Sequence, residues 1–120
     1  MNAQEMVAAN VAARGYRDGW TAEQFVARQL CKMTEELAEA VFNTDCRGEW
    51  IKFLAFAGDY ARIEFDEREA WSNVATVGPD IRSELADMQV VLFAAAAALD
   101  FDVVQAAIDK SAVDVARGVR

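Results

Sequence analysis

The sequence predicts an all-α domain, a bundle of four to five helices completed by oligomerisation. Three observations carry that expectation. Pro79 is the only proline among 120 residues, so helices can run almost anywhere. Apolar residues recur at helical spacing in long segments. Hydrophobic residues make up 54% of the chain, more surface than one small bundle readily covers. The length suits one domain over 1–120, with a core that needs no disulfide.

The elements follow in order. Residues 2–13 read as a short helix ended by Gly15, and 14–19 as a loop. Thr21 is an N-cap, and Gln24 completes a capping box with Trp20 and Phe25 at the staple positions. Val26, Leu30, Met33, Leu37 and Val41 then form the expected core stripe of a helix reaching about residue 44. Residues 49–71 are apolar and aromatic with a blurred period. Residues 60–66 also fit a strand, but the alternation is not sustained and no hairpin turn follows, so helix is preferred. A further helix begins after Gly78-Pro79, with the proline at or near its first position. From Met88 to Leu99 only Gln89 is polar, so that half is expected to be buried on several sides. Asp100 is expected to cap a last helix carrying Phe101, Val104, Ala107, Ile108 and Val115. Trp50, Phe53, Phe56 and Phe65 are expected at an interface between copies.

Composition excludes whole classes of function. The net charge of −8 disfavours a nucleic-acid or anionic-membrane binder, which needs a basic footprint. A phosphate ligand remains possible through a bridging divalent cation. With no histidine, Ser-His-Asp and Cys-His chemistry is out. So are ordinary zinc sites, because Cys31 and Cys46 cannot complete a tetrahedral set. The two cysteines read as reduced thiols of a cytoplasmic protein. The beginning of the chain lacks the pattern of a signal peptide, and the apolar stretch 88–99 is too short to span a bilayer.

Carboxylates are what remains. Glu35, Glu36 and Glu39 fall within one helical turn, where they repel unless water or a cation screens them. Taken alone this is a solvated acidic face, with Lys32 as its screen. Glu84 and Asp87 add a second i, i+3 pair, on the side of their helix that continues as Val91, Ala94 and Ala98, so they are expected to face a packed region. A half-buried pair must be protonated, paired or metal-bound. Two such pairs facing each other across a bundle make a site for Mg²⁺ or Mn²⁺, which prefer oxygen ligands.

These residues resemble a known signature. Glu35-Glu36-x-x-Glu39 followed by Glu84-x-x-Asp87 is similar to the EExxE…ExxD motif of the MazG-like nucleoside triphosphate pyrophosphohydrolases. That all-α superfamily includes dimeric dUTPases and phosphoribosyl-ATP pyrophosphohydrolase. The run from Leu30 to Glu39 resembles its first motif helix, and 99–110 its last. The likeness spans roughly residues 20–118. The spacer 40–83, at 44 residues, is longer than the family's, and Lys110-x-x-x-Asp114-x-x-Arg117 has aspartate where the family tends to asparagine.

The resemblance implies Mg²⁺-dependent cleavage of (d)NTPs to monophosphate and pyrophosphate, in nucleotide-pool cleaning, by a homodimer or homotetramer. It implies Glu36, Glu39, Glu84 and Asp87 as metal ligands. Glu35 would orient or deprotonate the attacking water, and Lys32, Lys110 and Arg117 would contact phosphate. Trp20, Phe42, Trp50 and Trp71 are candidates to stack on the base, none singled out. Two competing readings stand: a MazG-like bundle that has lost catalysis and serves as a scaffold, and an acidic mimic of nucleic acid. The mimic needs acids spread over a surface, whereas these are concentrated at two helix positions.

Overall fold

The computed structural model describes residues 1–15, 18–44, 48–66 and 76–118, without the side chains of 64–66. Every regular element among them is an α-helix: α1 Ala3–Ala13, α2 Ala22–Phe42, α3 Glu49–Asp66, α4 Ile81–Ala98 and α5 Val103–Arg117. The strand alternative for residues 60–66 is therefore excluded. The helices belong to two compact units, Trp20–Val77, and Met1–Gly19 with Gly78–Arg120.

The first of these units is a helical hairpin of α2 and α3. Thr21 Oγ1 accepts from the Gln24 N–H, and the Gln24 side chain accepts from the Thr21 N–H, so the capping box forms as its sequence dictates. The helix stops at Phe42, two residues before the expected end, where the Asn43 side chain donates to the Glu39 carbonyl. The two helices meet where side chains are smallest. Ala38, Gly58 and Ala61 are buried there. A Cβ placed on Gly58 would stand 2.1 Å from the Ala38 Cβ.

The expected stripe is corrected at Leu37, while Val26, Leu30, Met33 and Val41 are half-buried. The face of α2 turned to α3 carries Glu35 and Ala38, while Leu37 on the apolar stripe is 49% exposed. The reason is steric: Gly58 and Ala38 permit a backbone approach that a leucine face does not. On the far side of α3, Trp50, Phe53, Phe56, Tyr60 and Ile63 recur at helical spacing and are all exposed, Trp50 by 66%. The expected helix beyond Asp66, the Phe65 side chain, Trp71 and Cys46 lie outside the described residues. Cys31 is half-buried on α2.

The second unit packs α1 along α5 and turns from α4 into α5. Asn2 and Asp102 cap α1 and α5, each accepting an N–H three residues on. Asn10 Nδ2 donates to Ser111 Oγ at 2.8 Å, and that hydroxyl donates to the Ile108 carbonyl. This part-buried pair fixes α1 on α5 and contributes about 1 kcal/mol.

The helix α4 begins after Gly78-Pro79 as expected: Pro79 precedes Asp80, which takes the cap position, after a turn closed by Ile81 N–H donating to the Gly78 carbonyl. Two expectations are corrected in this unit. Asp100 does not cap α5; it sits past the end of α4 at φ 59°. There the Phe101 N–H reaches the Ala96 carbonyl and the Asp100 N–H that of Ala97, the Schellman pattern that closes a helix. The chain then bends by 102° into α5. A left-handed aspartate is strained by about 1 kcal/mol relative to glycine. Asp100→Gly is accordingly expected to raise the thermal midpoint by a few degrees; an unchanged or lower midpoint would contradict this account of the turn.

The second correction concerns 88–99. Only Ala96 is buried on α4, while Val90, Val91, Leu92 and Phe93 are all exposed, Val91 by 66%. Among the described residues of the unit, α4 meets α5 only around their corner, which leaves its apolar flanks uncovered there. Among the described residues, no single helix is long and apolar enough to cross a membrane.

Candidate functional site

The acidic turn of α2 separates its three carboxylates by environment. Glu35 points into the hairpin and is only 9% exposed. Its charge is met by Lys32, whose Nζ lies 3.4 Å from Glu35 Oε2 and 3.5 Å from Glu36 Oε1. Glu36 and Glu39 are exposed. The bland reading of a solvated face therefore holds for two of the three. Glu35 does not share it, because the helix turns that side to α3.

Charge is not balanced within the turn. The Glu39 carboxyl is raised above its usual range, chiefly by the neighbouring Glu36 carboxylate. Partial burial, Glu35 and a hydrogen bond to Glu36 push the same way, and Lys32 opposes. Glu36 and Glu39 thus form an i, i+3 oxygen pair with surplus negative charge, open to solvent. That donor set suits a hard divalent cation, and a bound cation would reverse the shift. A raised folded-state value means the Glu36–Glu39 repulsion is absent at low pH and grows as pH rises through it. Glu39→Gln is therefore expected to raise the melting temperature of the metal-free protein at pH 7 but not at pH 4. A gain of equal size at both pH values would show that the repulsion is not its source.

Glu84 and Asp87 lie in the first two turns of α4, in the other unit. Both are exposed, which corrects the expectation that they face a packed region. The apolar residues continuing their side, Val91 among them, are exposed too, so that side marks no core. The argument that burial forces this pair to be protonated, paired or metal-bound falls with it. Their hard-oxygen chemistry and i, i+3 spacing stand. Among the described residues, no three Asp, Glu or Cys side chains form a ready-made metal cage.

The expected phosphate contacts divide in the same way. Lys32 is held by Glu35 and Glu36 on α2. On α5, Lys110 Nζ donates to Asp114 Oδ1, and Arg117 occupies the last turn. The Asp114 carboxyl is held below its usual range by that hydrogen bond first; burial opposes it next, and the charges of Lys110, Arg14 and Arg117 add to the lowering. Arg14, at the end of α1, was not among the sequence candidates. It follows Asn10 by one helical turn, but only the Asn10–Ser111 bond reveals which helix that turn lies against.

Of the aromatic candidates for base stacking, Phe42 and Trp50 are exposed at the two ends of the α2–α3 connection. Trp20 has the Arg28 guanidinium 5.3 Å from its ring centroid, a cation–π contact that occupies one face.

Comparison with protein-family models, with curated proteins and with solved structures finds no match.

Proposed function

We propose that the chain is a Mg²⁺-dependent nucleoside triphosphate pyrophosphohydrolase of MazG-like type, acting on (d)NTPs. The observation that supports this most is the acidic turn of α2. Glu36 and Glu39 are exposed, mutually repelling oxygen donors, and Glu35 beside them is sheltered and oriented by Lys32. In this reading Glu36, Glu39, Glu84 and Asp87 hold the cation, with Mn²⁺ as a substitute. Bound there, the cation would neutralise charge on the triphosphate. Glu35 orients the attacking water and takes its proton. The water oxygen bonds to the α-phosphorus, the bond from that phosphorus to the bridging oxygen breaks, and pyrophosphate leaves. Lys32, Lys110 and Arg117 meet phosphate oxygens.

The apolar surface supports a homodimer or homotetramer as the working form. The aromatic face of α3 and both flanks of α4 are exposed on the single chain. Exposed surface of that kind costs roughly 25 cal/mol per Å² until a second copy covers it. The same observation favours a second reading, an oligomeric scaffold without catalysis. An acidic nucleic-acid mimic has no comparable support.

The test is incubation of the full chain with each common NTP and dNTP, with and without Mg²⁺, measuring monophosphate and pyrophosphate. Metal-dependent release of both from at least one nucleotide is expected. No release, together with no thermal stabilisation by millimolar Mg²⁺ or Mn²⁺, would discard the enzyme in favour of the scaffold.

A further inference from the structure

Outside the acidic turn, a second group of charges lies where α1 ends beside α5. Lys110, Asp114 and Arg117 follow one another at i, i+4 and i+7, so they share one strip of α5. The Asn10–Ser111 hydrogen bond lays α1 against this strip. One turn on along both helices, Arg14 reaches the neighbourhood of Asp114. Lys110 thus pairs with the carboxylate directly, while Arg14 and Arg117 add favourable charge, in a chain whose net charge is −8. The Asp114 side chain is 19% exposed, that of Lys110 63%. The carboxylate is therefore the inward partner, with Lys110 and Arg117 exposed at its rim and Arg14 half-buried beside it.

Such a group is already an anion site, with its anion supplied by the chain. A carboxylate brings one negative charge and two oxygens. A phosphate group brings up to two charges and three acceptor oxygens, and it pairs with Arg and Lys more strongly. We propose that Asp114 is a built-in competitor: it occupies the Arg14–Lys110–Arg117 cluster and must be displaced by any phosphate-bearing anion that binds there. Displacement leaves the carboxylate beside the incoming anion, so Asp114 lowers affinity throughout and excludes monoanions. This rests on the reading of Lys110 and Arg117 as phosphate contacts. It adds Arg14 to them and gives Asp114 an opposing role.

The test is calorimetric titration of the full chain with inorganic pyrophosphate, in chelator and without nucleotide. Its outcome is thereby separate from whether the chain hydrolyses anything. Asp114→Asn, and Asp114→Ser as a second neutral variant, are expected to bind roughly three- to tenfold more tightly than the parent, the attenuated effect of one like charge at a solvated site. Asp109→Asn removes an equal charge off the strip, where Asp109 accepts from Gln105, and is expected to leave affinity unchanged. Lys110→Gln is expected to abolish binding. The proposal is overturned if neither neutral variant at 114 binds more tightly than the parent. It is equally overturned if Asp109→Asn gives the same gain, which would make it an effect of net charge.

Discussion

Gly58→Ala is expected to destabilise the α2–α3 hairpin by about 3 kcal/mol, in the upper range of overpacking costs. The expectation runs against helix propensity, which favours alanine over glycine by about 1 kcal/mol in a helix interior. Packing decides the sign. The new methyl would lie 2.1 Å from the Ala38 Cβ and 3.5 Å from its Cα, with the Thr34 carbonyl at 3.6 Å. None of these atoms is the free end of a flexible side chain, so relief requires the helices to separate along their closest seam. Urea unfolding followed by helical circular dichroism would read the loss as a lower midpoint at similar slope. Ala38→Gly removes the clashing methyl from the other side. The double variant should recover much of the loss, giving a large coupling energy between two positions in contact. A Gly58→Ala protein as stable as the parent would mean that the helices do not meet at this seam.

Glu36→Gln and Asp87→Asn should each lower Mg²⁺-dependent pyrophosphate release by about a hundredfold or more, the scale on which a group stabilising transition-state charge is felt. The two substitutions keep side-chain shape and remove one ligand charge from each half of the proposed set. Each should also shrink the stabilisation that Mg²⁺ confers, which for a site filled at a hundred times its Kd is about 2.7 kcal/mol. Glu49→Gln is the matched control: Glu49 is exposed on α3, paired with Lys52 at 3.2 Å, and belongs to neither motif. Activity that survives Glu36→Gln or Asp87→Asn while falling in neither control nor parent would remove that residue from the metal set. Glu35→Gln tests a different role. It should lower turnover while sparing the metal-dependent rise in thermal midpoint, because Glu35 is turned into the hairpin beside Lys32.

The helices were legible because their signals are local. The Thr21–Gln24 capping box and the single proline each act over a few residues, and each did what its chemistry prescribes. Faces were harder to read. The Leu30–Leu37 stripe looked like a core because leucine usually is one, yet the hairpin closes on Ala38 and Gly58. Small residues mark a close approach only when the partner helix is known. The same blind spot placed Glu35 in solvent and residues 88–99 in a core. It also gave Asp100 a cap that belongs to Asp102, since two aspartates so near a helix start are told apart only by backbone dihedrals.

What the sequence determined by itself is the all-helical class, the positions of the helices and a chemistry confined to carboxylates and cations. These follow from composition, spacing and hydrogen bonds that close within four residues. What only the tertiary structure decided is the environment of each group: Glu35 sheltered while Glu36 and Glu39 are open, Glu84 and Asp87 exposed, Arg14 brought to Asp114, and the aromatic side of α3 left uncovered. Burial and electrostatic neighbourhood depend on residues distant in the chain, such as Asn10 and Ser111, 101 positions apart. No periodicity within one helix can specify which other helix it will meet.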